Sequence, residues 1–288
     1  MITLQNERLT AVIANKGAEL QKLVNNRTGM NYMWSGDAKY WGKYSPVLFP
    51  VVGGLKDDTY YYKDRMYTLP RHGFARDKEF TAVQLNSTES VFTLDHDEQT
   101  LAVYPFPFIL KLRYRLNNNW LACTYEVYNP GNDVLLFSVG AHPAFAVPFT
   151  AGTAYQDHYL QFNKAEPLQR WKIKNGLIDT VTETLSTENG KFVLQHDLFY
   201  EDAIVLKGLE SNCISLCCNK HDHGLNFYFN GFGFFGIWAS KDAPFVCLEP
   251  WCGIGDHVNH NQLLADKEGI NFLAPGDTFT RTWSVECF

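Results

Sequence analysis

The feature that most constrains this chain is an apolar alternation of period two that recurs from one end to the other. Between Phe108 and Leu116, the residues Phe108, Leu110, Leu112, Tyr114 and Leu116 alternate with Lys111, Arg113 and Arg115. A helix would scatter these side chains around its circumference. A strand sends them to opposite faces, one dry and one wet, so the segment predicts a half-buried antiparallel strand. Leu121, Cys123, Tyr125 and Val127 repeat the pattern, and Asn117-Asn118-Asn119 between the two segments suits a hairpin turn. Phe279, Trp283, Val285 and Cys287 mark a closing strand. Further strands are expected over 8–14, 18–25, 80–86, 90–96, 134–139, 203–208, 213–218, 224–230, 234–239 and 244–249.

Helical periodicity is scarce. A short helix is expected over Asn261 to Lys267, and Ala165 to Leu177 fits neither pattern. Turn signals fall at Asn129-Pro130-Gly131-Asn132, Asn230-Gly231 and Pro275-Gly276-Asp277. No composition shift, polar linker or internal repeat divides the chain. The expectation is therefore all-β: a single domain over 1–288, built as a large antiparallel β-sandwich of two big sheets face to face. The 21 Phe, 15 Tyr and 7 Trp favour strands and also supply flat stacking faces.

The net charge of −6 argues against nucleic acid as a partner, because phosphate-backbone binding needs a concentrated basic surface. No run of about 18 apolar residues is present to span a membrane. Residues 1–9 lack a basic segment followed by an apolar core, and the seven cysteines are odd in number. Both points favour reduced thiols and a cytoplasmic location. Cys217, Cys218, His221 and His223, with His257 and His260 further on, resemble metal ligands. They lack the paired spacing of structural zinc sites, so Asn219 to His223 reads as a polar turn and no metal is expected. No G-x-S-x-G element, P-loop or dinucleotide fingerprint is present.

Four places carry residues suited to chemistry. In Arg71-His72-Gly73-Phe74-Ala75-Arg76 an imidazole lies between two guanidinium groups, a grip for a polar or anionic small molecule or else a solvated basic turn. His142, in Gly140-Ala141-His142-Pro143, follows an apolar strand on a rigid support, unless it is a core histidine bonded to a carbonyl. Glu249 ends the apolar strand Phe245 to Leu248, where partial desolvation would raise its pKa towards a useful base. Beside it, Trp251 offers a face for a sugar; the alternative for Glu249 is an edge-strand carboxylate. Asp202, before the apolar run 203–206, suits hydroxyl binding or an ordinary turn.

Taken in order, His72, Gly140-Ala141-His142-Pro143, Asp202 and Leu248-Glu249-Pro250-Trp251 resemble the aldose 1-epimerase (galactose mutarotase) family, from about residue 2 to residue 286. Phe49-Pro50-Val51-Val52-Gly53, His72-Gly73-Phe74-Ala75-Arg76 and Tyr104-Pro105-Phe106 are similar to its LacX-type branch. The His-Gly-Phe-Ala-Arg string is also similar to hexose-6-phosphate mutarotases. The resemblance implies a galactose mutarotase-like supersandwich that interconverts the α and β anomers of an aldose through ring opening, with no cofactor. By that resemblance Glu249 is the base at the C1 hydroxyl, His142 the acid at the ring oxygen and His72 a hydrogen-bonding stabiliser, while Asp202 binds hydroxyls. Family members usually carry an arginine shortly after the strand near residue 50. Here the stretch reads Val52-Gly53-Gly54-Leu55-Lys56, leaving Lys56, Arg71 or Arg76 as substitutes.

The partner expected is a small sugar or sugar phosphate, slightly in favour of the phosphate because of Arg71 and Arg76. Whether the chain is a monomer or a homodimer stays open. A carbohydrate-binding or sensing protein without turnover is the main alternative. A glycoside hydrolase fits less well, since those enzymes usually pair two carboxylates.

Overall fold

The computed structural model describes residues 1–288. Two large antiparallel sheets dominate it. The larger has nine strands, in the spatial order Lys191–Val193, His158–Phe162, Cys213–Cys218, Leu225–Tyr228, Thr278–Cys287, Trp120–Tyr128, Ile109–Asn117, Glu89–Asp95 and Thr81–Asn86. The smaller has seven: Val139–Gly140, Phe245–Cys252, Phe234–Trp238, Ile204–Lys207, Gln169–Lys174 and Leu177–Thr184 in order, with Ala144–Ala146 also paired to Phe245–Cys252. Three short sheets complete the strand set.

The alternation in the sequence becomes the division between core and solvent. Leu110, Leu112, Tyr114 and Leu116 are buried, while Arg113 on the other face bonds Glu89 at 2.9 Å and Glu126 at 3.1 Å. Phe227 of the larger sheet meets Phe145 and Phe235 of the smaller at ring-centroid distances of 5.9 and 6.3 Å, and Phe162 meets Phe235 at 6.2 Å. These contacts lie within one apolar cluster of 68 buried residues, the main hydrophobic driving force for the fold. In the smaller sheet Ile204, Leu206, Phe235, Ile237, Val246 and Leu248 face this core. Val205, Gly236, Trp238, Glu249 and Trp251 alternate with them, and all but Gly236 line a cavity on the opposite face. A satellite cluster of seven buried residues, with Val52, Val205, Trp251 and Ile254 among them, lies on that side.

Two local expectations fail for identifiable reasons. Asn261 to Lys267 is not a helix beyond the 3-10 turn Leu264–Asp266. A side chain captures one of its amides: Asn261 Oδ1 accepts from the Leu263 N–H at 2.9 Å, with Gln262 at φ 65°. The one α-helix, Glu98–Val103, is not anticipated by periodicity but has a capping box, in which Asp97 Oδ1 accepts from the Thr100 N–H at 2.6 Å and Thr100 Oγ1 accepts from the Asp97 N–H at 2.8 Å. The unassigned stretch Ala165 to Leu177 holds the strand Gln169–Lys174, which reverses at Asn175-Gly176 (φ 52° and 78°) into Leu177–Thr184. Asn-Gly is a strong hairpin signal, and it lies within that stretch. No helix is long and apolar enough to cross a membrane.

One ion pair anchors the loops beside the cavity. Lys267 Nζ lies 2.7 Å from Asp256 Oδ1, and both side chains are fully buried. Asp256 Oδ2 accepts from the Lys56 N–H at 3.0 Å and lies 3.2 Å from His260 Nδ1. Burial pushes the Asp256 carboxyl up, but His260, Lys267 and the Lys56 amide outweigh it and hold the group at about 2. Removing one partner leaves a buried charge unmatched. Lys267→Met is expected to cost about 3–5 kcal/mol, read as a lower urea midpoint at neutral pH.

Candidate active site

A cavity of about 570 Å³ opens on the outer face of the smaller sheet, lined by 19 residues. Of the residues singled out from sequence, it brings together His72, His142, Asp202, Glu249, Trp251, Arg71 and Arg76. Lys56 does not reach it. Its Nζ donates instead to the His260 carbonyl at 3.1 Å.

Backbone pairing sets His142 opposite Glu249. The Ala141 N–H donates to the Pro250 carbonyl and the Leu248 N–H to the Pro143 carbonyl, both at 3.1 Å. The residues on either side of His142 are thus bonded to the residues on either side of Glu249. His142 Nε2 consequently lies 3.3 Å from Glu249 Oε2, in side chains only 10% and 3% exposed. Trp41 stacks on the imidazole at 4.9 Å and 28°, and Trp238 meets it edge-on at 5.6 Å.

Burial disfavours charge on both partners. It lowers the His142 pKa to about 3 from an ordinary 6.5. It also raises Glu249 well above the usual carboxylate range; the nearby Asp202 charge adds to this and Arg71 opposes it. The Trp251 indole N–H makes no hydrogen bond within the fold, yet its nearness to the Glu249 carboxyl works against the rise. The two groups form a tightly coupled pair that favours neutral forms over a wide pH range.

His72 reaches the same cavity from a tight turn, with φ 68° at both His72 and Gly73. A Cβ on Gly73 would fall 2.4 Å from the Phe49 carbonyl oxygen, so only glycine fits. The Gly53 N–H donates to His72 Nδ1 at 3.1 Å. An amide can only donate, so Nδ1 is the acceptor and the proton of the neutral ring sits on Nε2. Burial, then His142 and the two arginines, lower the His72 pKa and keep that ring neutral.

Trp251 forms one wall because its neighbours lack side chains. A Cβ on Gly236 would lie 2.4 Å from Trp251 Cζ2, and one on Gly140 would lie 2.6 Å from its Cδ1. Asp202 (φ 135°) spends Oδ1 on the Ala203 N–H at 2.7 Å, while its carbonyl accepts from Arg170 at 2.9 Å. Arg71 is exposed, and its Nη2 donates to the Gly176 carbonyl at 2.9 Å. Arg76 is turned inward: its Nη2 donates to the Arg71 carbonyl at 2.8 Å and its Nε lies 3.7 Å from Asp77.

His142, Cys247 and Glu249 also place their donor atoms within 4.8 Å of one another. Burial raises Cys247 and Glu249 and lowers His142, so the carboxyl and thiol hold their protons where a cation needs them deprotonated. The set suits proton transfer better than metal binding. Sequence reasoning missed Trp41, Trp238 and the Gly53 amide. Among 7 Trp and 21 Gly, nothing local distinguishes the ones at the site.

Comparison with known proteins identifies the family of the chain. The profile of the aldose 1-epimerase family matches residues 1–263, and the chain belongs to that family. It is 32% identical to the chromosomal LacX protein of Lactococcus lactis subsp. lactis, over 99% of this chain and 98% of that one. Among solved structures, a galactose mutarotase related enzyme from Lactobacillus acidophilus superposes with a TM-score of 0.96 at 33% identity, covering 100% of this chain and 97% of the other. A galactose mutarotase-like protein from Lactobacillus casei gives 0.94 at 31% identity, covering 100% of both chains.

The strained turn at His72 can be tested directly. Asparagine tolerates a left-handed backbone and a β-branched residue does not. His72→Val is expected to be less stable than His72→Asn by about 1–3 kcal/mol in urea unfolding. Equal midpoints would mean that the turn relaxes freely.

Proposed function

We propose that the protein is a mutarotase, interconverting the α and β anomers of an aldose by acid–base catalysed ring opening. The observation that carries the reading is the buried 3.3 Å pair of His142 Nε2 and Glu249 Oε2 on a cavity wall. Mutarotation removes one proton from the C1 hydroxyl and delivers another to the ring oxygen of the same hemiacetal. Two adjacent groups sharing one proton fit that requirement.

In the forward direction the pair's one proton moves from Glu249 to His142; Glu249 then takes the O1 proton, the C1–ring oxygen bond breaks and His142 protonates the departing oxygen. The product is the open-chain aldehyde. Rotation about C1–C2 and the reverse transfers close the ring with O1 on the other face. Protons and electrons balance without a co-reactant. His72 donates its Nε2–H to a sugar oxygen as charge develops there, Asp202 accepts from hydroxyls, and Trp251 packs against the ring.

Arg71, exposed at the rim, is the substitute for the arginine usual near residue 50. The inward bonds of Arg76 leave less of its charge for an external phosphate, which shifts the balance from the sugar phosphate towards a free aldose. Freshly dissolved α-glucose, α-galactose and their 6-phosphates, followed by polarimetry or exchange NMR, separate the cases. Faster exchange of a 6-phosphate than of its free sugar, lost in Arg71→Ala, would assign the phosphorylated substrate. Saturable sugar binding with exchange no faster than buffer would identify a binding protein instead.

Glu249→Gln and His142→Asn are each expected to lower kcat by roughly 10²–10⁴-fold with a smaller change in KM. Equal exchange by wild type and Glu249→Gln sinks the proposal.

The pH profile follows from the pair. Between the lowered pKa of His142 and the raised pKa of Glu249, the two groups hold one proton between them. Towards pH 3 a second proton arrives and the base is lost. Above the Glu249 pKa the shared proton leaves and no acid remains. The acid limb of kcat/KM should therefore lie near pH 3, with free solvated imidazole behaviour near 6.5 as the contrary result.

A further inference from the structure

The nine-stranded sheet places a second group of chemistry-bearing side chains away from the cavity. Antiparallel pairing sets His158 directly opposite Cys218 at the ends of strands His158–Phe162 and Cys213–Cys218. The turn after Cys218 brings back His221, and the donor atoms of His158, Cys218 and His221 all lie within 4.8 Å of one another. None of the three lines the cavity described above.

Each donor is presented as a ligand. His158 is fully buried, and its Nδ1 lies 3.0 Å from the Ala154 carbonyl. A carbonyl can only accept, so Nδ1 carries the proton and Nε2 keeps its lone pair. That Nε2 is buried with no hydrogen-bond partner. An outer carbonyl that fixes the tautomer of a metal-binding histidine is the usual second-layer arrangement. Both ring nitrogens of His221 are also buried without partners. Cys218 is 8% exposed, and its Sγ accepts from the Lys220 N–H at 3.4 Å, which holds the sulfur towards the two imidazoles. Leaving three buried imidazole nitrogens unsatisfied is costly in a finished core, and an ion would satisfy two of them.

We propose that His158 Nε2, Cys218 Sγ and a ring nitrogen of His221 form a binding site for one borderline-soft divalent ion, with Zn²⁺ the best match. Two imidazoles and one thiolate are a zinc donor set, and three protein ligands leave a fourth position for water. Tetrahedral bonds of about 2.0–2.1 Å to nitrogen and 2.3 Å to sulfur space the donors by roughly 3.5 Å. His221 stands on a turn open to solvent, so its side chain supplies the remaining closure. Binding displaces the Cys218 thiol proton, breaks no bond otherwise, and ties the 219–223 turn to the strand ends. The sequence shows Cys218 and His221, but lone C-x₂-H spacing has no meaning until sheet pairing adds His158, sixty residues earlier.

The test titrates metal-free full-length protein with Co²⁺ and then Zn²⁺. The expected result is one equivalent of Co²⁺, a thiolate-to-cobalt charge-transfer band, displacement by Zn²⁺ and a rise in Tm with Zn²⁺. His221→Gln, a substitution on an open turn, should abolish the band and the Tm rise while leaving the far-UV spectrum unchanged. Cys218→Ser should abolish the band too. Glu249→Gln should leave the cobalt band and the Tm rise with Zn²⁺ intact, which excludes the His142–Cys247–Glu249 group as their source. Weak uptake of several equivalents without a sulfur band, or binding that survives His221→Gln, overturns the proposal.

Discussion

The contact between His142 and Glu249 depends on a backbone arrangement, and the rest of the cavity is organised around keeping it dry. Two hydrogen bonds, from Ala141 to Pro250 and from Leu248 to Pro143, fix the separation of the imidazole and the carboxyl before either side chain is considered. All eight residues of Phe245–Cys252 are buried, so the carboxyl has core beneath it, and Trp41 and Trp238 pack on the imidazole that faces it. In water these groups would hold their protons some two pH units apart in the ordinary sense, imidazole above carboxylate. Burial inverts that order, so one proton sits between two neutral groups over a wide pH range.

Around this pair the polar groups fall into two kinds. His72, fixed by the Gly53 amide, is a neutral donor of known direction. Asp202 and Arg71 stand nearer the rim, each with part of its bonding capacity committed to backbone. The buried Asp256–Lys267 pair does not line the cavity. It bonds the Lys56 amide, close in sequence to Gly53, and so steadies the loop that orients His72. Rigid support of this sort is what keeps a donor aimed when a ligand arrives.

Much of this was legible in the chain because strands announce themselves by alternation. Cys213–Cys218, Ile109–Asn117 and Thr278–Cys287 fall where the period-two pattern places them. His142 and Glu249 stood out for a related reason: each follows an apolar run, with a core histidine and an edge-strand carboxylate as the alternatives, although Glu249 lies inside Phe245–Cys252 rather than at its end. Lys56 was misplaced because a lysine's stem lets its charge go where local acceptors draw it, here to the His260 carbonyl. Trp41 and Trp238 could not be found, since sequence position says nothing about which aromatic ring packs on which histidine. The 261–267 stretch misled because side-chain competition for amides is a matter of geometry that composition does not express.

The hairpin at Asn175-Gly176 carries a further consequence. Its tip supplies both the Gly176 carbonyl that holds Arg71 and a portion of the cavity wall. The rim is thereby mounted on the hairpin at one end of the seven-stranded sheet, while Glu249 sits on Phe245–Cys252 near the other end, opposite His142 in the segment between Val139–Gly140 and Ala144–Ala146. Insertions or deletions in that hairpin would resize the aperture and re-aim its guanidinium without disturbing the chemistry below. Variation in one loop can therefore reshape the opening of the cavity while leaving the contact between His142 and Glu249 as it is.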